Sequence, residues 1–207
     1  LNGIEHKIEG FEDNKRPNHF GFDEYCLWQL TKRKSHGERF ANPLIEQNGE
    51  FLPRDEDAYG PDIVSDYAIE FIKRNKHNPF FIYYPMLLVH SPFVPTPDSP
   101  EWKSMDTRSQ KNNRFFIDMV EYMDKLIGKI SKELSKQGIA ENTLILFVGD
   151  NGTNVNLVSL TKNGSIRGGK GNTITHGHHV PMVANWPKKI KPTWLLLIKI
   201  LKWLNGS

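Results

Sequence analysis

The stretch "TLILFVGDNGTN", residues 143–154, decides how the chain is read. Leu144 to Gly149 suit a buried strand, yet the run passes directly into Asp150, Asn151 and Gly152. A carboxylate and an amide oxygen thus stand side by side where a hydrophobic strand leaves the core. In open α/β sheets, ligands bind beyond the carboxyl ends of the strands. The alternative is local: Asn-Gly is a strong hairpin signal, which would make the triplet a turn.

Outward from this point the periodicities alternate. Upstream, "RFFIDMVEYMDKLIGKISKELSKQG" carries Phe116, Met119, Val120, Met123, Leu126, Ile127, Ile130 and Leu134 as one helical stripe. Gly138 stands where a C′ glycine would end that helix. Further upstream, Ile63, Val64, Tyr67, Ala68, Phe71 and Ile72 repeat at helical spacing behind a cap expected at Asp62. Lys73, Arg74 and Lys76 follow in the last turn, where cations suit the helix dipole. Between the two helices, "PFFIYYPMLLVH" reads as a strand buried on both faces, with Pro85 requiring an edge or a bulge. Prolines 92, 95, 97 and 100 make the next segment an extended loop. Downstream lie a glycine-rich loop over 163–171 and a short apolar piece, "VPMVANWP". Residues 1–58 read as loops with one or two short elements around an apolar run at Tyr25–Leu30. Helix, strand, helix, strand predicts an α/β domain with a mostly parallel central sheet flanked by helices.

Composition narrows the classes. The chain has 207 residues, 38% hydrophobic and 25% charged, which is enough for a globular core. A net charge of +3, without Lys/Arg runs interleaved with aromatics, argues against nucleic acid as a partner. The single cysteine, Cys26, rules out an intrachain disulfide. "LNGIEHKIEG" has neither an initiator Met nor a signal-peptide core, and reads as the interior of a longer chain. "TWLLLIKILKWLNGS", over 193–207, carries an apolar stretch from Trp194 to Leu204 that is too short to span a bilayer.

Several side chains carry chemistry. If the strands ending in His90 and in Asp150-Asn151 are parallel, all three side chains share one rim. Asp150 and Asn151 offer the hard oxygen donors that Ca²⁺ or Mg²⁺ takes. His90 either serves a site or anchors the Pro-rich loop that follows it. Lys170, in "NGSIRGGKGNT", lies among glycines that let backbone approach an oxyanion while the ammonium neutralises it. Gly164, Gly169 and Lys170 nearly match a nucleotide-binding P-loop, but Gly171 replaces its metal-binding Ser or Thr. A nucleotide-binding module through Gly164–Gly171 therefore stays as an alternative, as does a plain exposed loop. His176, His178 and His179 invite zinc, but match no common zinc spacing.

Together, "GFDEY", "YGPDIVSDYAIEFI", "PFFIYYPMLLVHSPFVPTP", "TLILFVGDNGTN", "RGGKGN" and "HVPMVANWP" resemble, in order, a sulfatase of the alkaline-phosphatase superfamily. The resemblance implies a sulfuric ester hydrolase cleaving R–O–SO₃⁻ esters of a carbohydrate or aryl alcohol. It implies that Asp150 and Asn151 are metal ligands for a divalent cation, usually calcium. His90 would contact the ester and protonate its leaving oxygen, and Lys170 would grip a sulfate oxygen. A phosphodiesterase or phosphonate hydrolase of the same superfamily is the nearest alternative. The family's nucleophile is a formylglycine made from the Cys of C-x-P-S-R, or from Ser, and that pattern does not occur here. Cys26 is followed by Leu27-Trp28-Gln29, so it is not that residue. The resemblance therefore leads to an expected fragment: an incomplete alkaline-phosphatase-like fold, with a partial catalytic domain over 1–192 and a hydrophobic tail over 193–207. Such a fragment would lack the N-terminal nucleophile segment and be inactive alone, with the formylglycine expected in the missing part. By the same resemblance the protein would be periplasmic, secreted or lysosomal.

Overall fold

The structure is a computed structural model and describes residues 13–28, 30, 38–162 and 164–191. The expected tail over 193–207 lies outside the described residues. The chain divides into two compact units, Leu1–Ile130 and Ser131–Ser207.

In the first unit, a one-turn helix α1 (Arg16–His19) precedes β1 (Cys26–Trp28), β2 (Ile45–Gln47) and β3 (Glu50–Phe51). These strands form one antiparallel sheet in the order β1-β2-β3, with Cys26 opposite Gln47 and Trp28 opposite Ile45. Asn48 and Gly49 connect β2 to β3 at φ 50° and 94°. Both lie in the left-handed region that a primed hairpin turn requires and that Asn-Gly supplies. Ile45 and Glu46 on β2 are fully enclosed, at 1% and 0% exposure. The Tyr25 hydroxyl stands 3.4 Å from Glu46 Oε1, which gives the buried carboxyl a polar neighbour.

Helix α2 (Gly60–Asn75) has Pro61 in its first turn, Asp62 beside it, and Lys73 and Arg74 in its last turn. The expected helix forms, but it is capped at Tyr59 rather than Asp62. Ser65, Ala68, Ile69 and Ile72 are its inward face. Gly60 is required by close approach, since a Cβ there would sit 2.0 Å from the Arg39 carbonyl oxygen. Within this unit, Phe115, Met119, Tyr122 and Leu126 of α3 (Phe115–Lys136) are buried. Val120, expected in the apolar stripe, is exposed. The Tyr59 ring anchors the aromatic core, with Trp102 and Tyr122 each edge-on at 5.2 Å and Phe40 stacked at 6.2 Å.

Burial pushes the Asp62 carboxyl above its ordinary value, against the hydrogen bond it accepts from Tyr122 at 2.7 Å. A raised carboxyl contributes stability that is full below its unfolded pKa and lost as pH rises through its folded one. Asp62→Asn should remove this falling component from a plot of unfolding free energy against pH, measured by urea titration. Glu24 has the opposite sign: Arg74, bound at 2.8 and 2.9 Å, lowers its pKa, so its contribution fades as pH falls.

The segment 79–90, expected as a doubly buried strand, takes part in no ladder among the described residues and turns at its end, where His90 N–H donates to Leu87 O at 3.1 Å. Phe81 and Tyr83 are 74% and 67% exposed, while Tyr84 and Leu88 turn inward. Apolar composition favours an extended chain, but a strand also requires a neighbour for its N–H and C=O groups.

In the second unit, α3 closes as expected. Gly138 adopts φ 73° and donates to Ser135 O, and Ile139 N–H reaches Leu134 O at 3.0 Å. This is a Schellman closure. Strand β4 (Ile145–Val148) pairs with β7 (Met182–Asn185), placing Leu146 opposite Ala184. Strand β5 (Val158–Thr161) pairs with β6 (Gly164–Arg167), and α4 (Thr175–His178) is one turn. Both ladders are antiparallel, as are those of the first unit, so the expected mostly parallel sheet is overturned. Apolar runs identify strands, but direction depends on which distant segment arrives beside them. Leu146 and Val148 on β4 stay exposed while Ile145 and Phe147 are half-buried, the alternation of a strand covered on one face.

Candidate functional site

His90 ends the unpaired 79–90 segment in the first unit. Its Nδ1 lies 2.7 Å from the Ser91 carbonyl oxygen and 3.1 Å from Nη1 of Arg39. The Arg39 guanidinium rests 4.7 Å from the centre of the Trp28 ring and 5.5 Å from that of Phe40. Burial lowers the Arg39 pKa from its ordinary value, with Glu38 acting in the opposite sense. Sequence reading missed Arg39. Its signal, an Arg flanked by Glu38 and Phe40, is indistinguishable from an ordinary surface triplet.

In the second unit, Asp150 and Asn151 directly follow β4, as expected, with Asp150 exposed and Asn151 half-buried. The hairpin alternative does not hold, because β4 pairs with the distant β7 and not with a strand after Gly152. The turn instead packs against α4. Gly152 N–H donates to Gly177 O at 2.9 Å, and a Cβ at Gly152 would sit 2.0 Å from His176 O. Lys170 N–H donates to Thr153 O at 2.9 Å, which ties its loop to the chain just beyond Asn151. Gly168 lets that approach happen, since a Cβ there would lie 2.1 Å from Asn154 O. Two of the predicted site segments are thereby joined within one unit.

The P-loop alternative fails on the backbone. Gly164–Arg167 is β6, its polar groups engaged in the ladder to β5, and the next helix after Lys170 is the single turn α4. A phosphate cradle needs those amides free at the head of a helix. His176, His178 and His179 lie on or just after α4, with the rings of His178 and His179 edge-to-face at 5.2 Å. Among the described residues, no three His, Cys, Asp or Glu side chains converge as a metal cluster. The Asp150 carboxylate and Asn151 amide have the donor chemistry of a hard cation, but two residues supply only part of the six to eight oxygens such an ion takes. Cys26 is buried, and burial pushes its thiol up to about 12, which makes it unreactive. No described helix is long and apolar enough to cross a membrane.

The Sulfatase family model matches residues 3–201, and the chain belongs to that family. It is 32% identical over 151 residues to N-acetylgalactosamine-6-O-sulfatase of Bacteroides thetaiotaomicron, covering 68% of this chain and 28% of that protein. It is 32% identical to human N-acetylgalactosamine-6-sulfatase over 84% of this chain and 30% of the relative. Mouse steryl-sulfatase is 30% identical over 62% of this chain and 20% of its own length. Among solved structures, that of Ps i-CgsB superposes with a TM-score of 0.62 at 26% identity, covering 84% of this chain and 42% of that one. The matched part of the chain thus spans about a fifth to a third of these curated relatives.

The match over 3–201 overturns the expectation of an incomplete fold and of a fragment lacking its nucleophile segment, inactive in isolation. That expectation rested on a few short motifs absent from the sequence, the nucleophile pattern and an early Asp-Asp pair among them, whereas the family match runs over residues 3–201. The inference of inactivity is dropped with it.

Proposed function

We propose that the protein is a hydrolase of sulfate esters, acting on sulfated carbohydrate. The supporting observation is the family match, which runs across both the His90 segment and the joined 150–154 and 168–170 segments. The net reaction takes R–O–SO₃⁻ and water to ROH and hydrogen sulfate, breaking the S–O bond to the ester oxygen. Lys170 neutralises a sulfate oxygen with its ammonium, and His90 supplies a donor to the ester oxygen as negative charge builds there. Asp150 and Asn151 contribute oxygen ligands to a divalent cation, with calcium favoured by the family resemblance and not by donor type, which suits Mg²⁺ equally. When bound, that cation stabilises charge on the sulfate oxygens. Carbohydrate is preferred because two relatives are named for N-acetylgalactosamine 6-sulfate, and a related structure is described as a complex with k-i-k-neocarrahexaose. Family resemblance also favours a compartment outside the cytosol.

The test uses the full-length protein with calcium, comparing a carbohydrate sulfate with a phosphodiester. Sulfate turnover should dominate. Asp150→Ala should weaken calcium binding at least about tenfold by calorimetry, the equivalent of about 1.4 kcal/mol. Preference for the phosphodiester, or calcium affinity unchanged by the substitution, would refute the assignment.

A further inference from the structure

We infer that the cleft between residues 38–41, 92–94 and 108–111 is a sugar subsite, in which the Lys111 ammonium recognises a second acidic group beside the sulfate ester. The inference rests on the sulfate-ester reading for the reaction it serves, but its binding test does not.

Three segments distant in sequence build the cleft, all within the first unit. Phe40, Ala41, Pro92 and Val94 give it an apolar lining. Asn112 N–H donates to Phe93 O at 3.0 Å, which fastens the 108–111 stretch beside the loop after His90. Leu44 N–H donates to Glu38 O at 3.0 Å and holds the third segment. The space is about 270 Å³ including its open mouth. That is just below the range of about 300–1,000 Å³ for drug-sized ligands, and it suits one sugar ring. The cleft adjoins His90. Pro92 is two positions beyond it, and Arg39, between the lining residues Glu38 and Phe40, reaches the imidazole at 3.1 Å.

Charge decides which sugar fits. Arg108 and Lys111 both line the cleft, but Arg108 is committed to its wall. Its Nη1 donates to Glu56 O and Asp57 Oδ1, each at 2.8 Å, and its Nε donates to Trp102 O at 2.7 Å. Lys111 is exposed, and its ammonium makes no hydrogen bond or ion pair among the described residues. An exposed lysine is ordinary on a surface; this one stands at the rim of a cleft next to His90. Ser109 and Glu38 add a hydroxyl and a carboxylate to the same rim. A pyranose matches such a lining: its C–H face meets the apolar side chains, and its hydroxyls reach the Ser109 and Glu38 oxygens. What remains is the ammonium, which an oxyanion on the sugar would satisfy and a neutral sugar would not.

The experiment measures kcat/KM of the full-length protein with calcium on N-acetylgalactosamine 6-sulfate and on the 4,6-disulfate. Wild type should favour the disulfate. Lys111→Ala should shrink that preference about two- to fivefold, the scale of an exposed ion pair, and Lys111→Glu should shrink it about tenfold. The change should sit in KM, because the ammonium holds substrate and transition state alike. It should also fade at high salt. Lys132→Glu makes the same charge change at an exposed position of α3 and should keep the wild-type preference. A second arm titrates two unsulfated disaccharides by calorimetry, glucuronate joined to N-acetylgalactosamine and its neutral glucose counterpart. Tighter binding of the glucuronate sugar, lost in Lys111→Glu, identifies the second group as a carboxylate; a preference confined to the disulfate identifies it as a sulfate. No preference in either arm overturns the inference. So does a preference that survives Lys111→Glu or falls equally in Lys132→Glu. A glucuronate preference in a protein that turns over neither sulfate would refute the sulfate-ester reading and leave the subsite standing.

Discussion

Gly168→Ala should unfold the second unit's loop architecture and lower stability by about 1–3 kcal/mol or more, the usual range for forcing atoms into filled space. The added Cβ would meet Asn154 O at 2.1 Å and Thr153 O at 2.5 Å. Both obstacles are backbone, so no side chain can rotate out of the way. The same displacement breaks the bond from Lys170 N–H to Thr153 O and the bond from Gly168 N–H to Leu157 O, each 2.9 Å. Gly171→Ala provides the control. Gly171 has φ 83°, but a Cβ there meets nothing within 4 Å. Its cost is conformational alone, about 1–2 kcal/mol for an L-residue in the left-handed region. Thermal unfolding of the two variants should therefore differ in midpoint, with Gly168→Ala lower. Equal midpoints would mean that the glycine cluster is not packed as described. Because Lys170 depends on this loop, Gly168→Ala should also weaken sulfate binding more than Gly171→Ala does.

What the sequence made legible follows the range of the forces involved. Helices α2 and α3 were visible because their apolar spacing, terminal cations and Gly138 act within one or two turns of chain. The inward face of α3 was less so: Phe115, Met119, Tyr122 and Leu126 are buried while Val120 is exposed, because the opposing aromatic Tyr59 selects the face. Asn48-Gly49 is a hairpin signal within the polar 1–58 stretch and does form a hairpin, whereas Asn151-Gly152 carries the same signal and does not. The same dipeptide gives two outcomes because β2 and β3 flank the first, whereas the second is committed to Gly177 through a hydrogen bond. Strand direction was not legible at all. "PFFIYYPMLLVH" has strand composition without a ladder among the described residues, and β4 acquires β7 from more than thirty positions away. For the candidate site, residue types were readable and their neighbours were not. Asp150 and Lys170 stand out by chemistry, but Arg39 becomes interesting only through the fold that carries it to His90.

His90→Gln should lower kcat on sulfate esters of poorly acidic alcohols by about 10² to 10⁴-fold, the range for losing a positioned donor at a leaving group. The loss should shrink for an aryl sulfate whose phenol is acidic, because a stable phenoxide departs with little help. KM should change little, since the donor matters most when charge has built on the ester oxygen. Gln retains an N–H near the lost ring, so a graded series is informative: His90→Ala should fall at least as far as His90→Gln. The slope of log kcat against leaving-group pKa is the decisive measurement, taken on the full-length protein. A steeper slope in both variants identifies His90 as the donor to the departing oxygen. A uniform loss at every leaving group would instead assign His90 to the Pro-rich loop it precedes, where Ser91 already lies 2.7 Å from its ring.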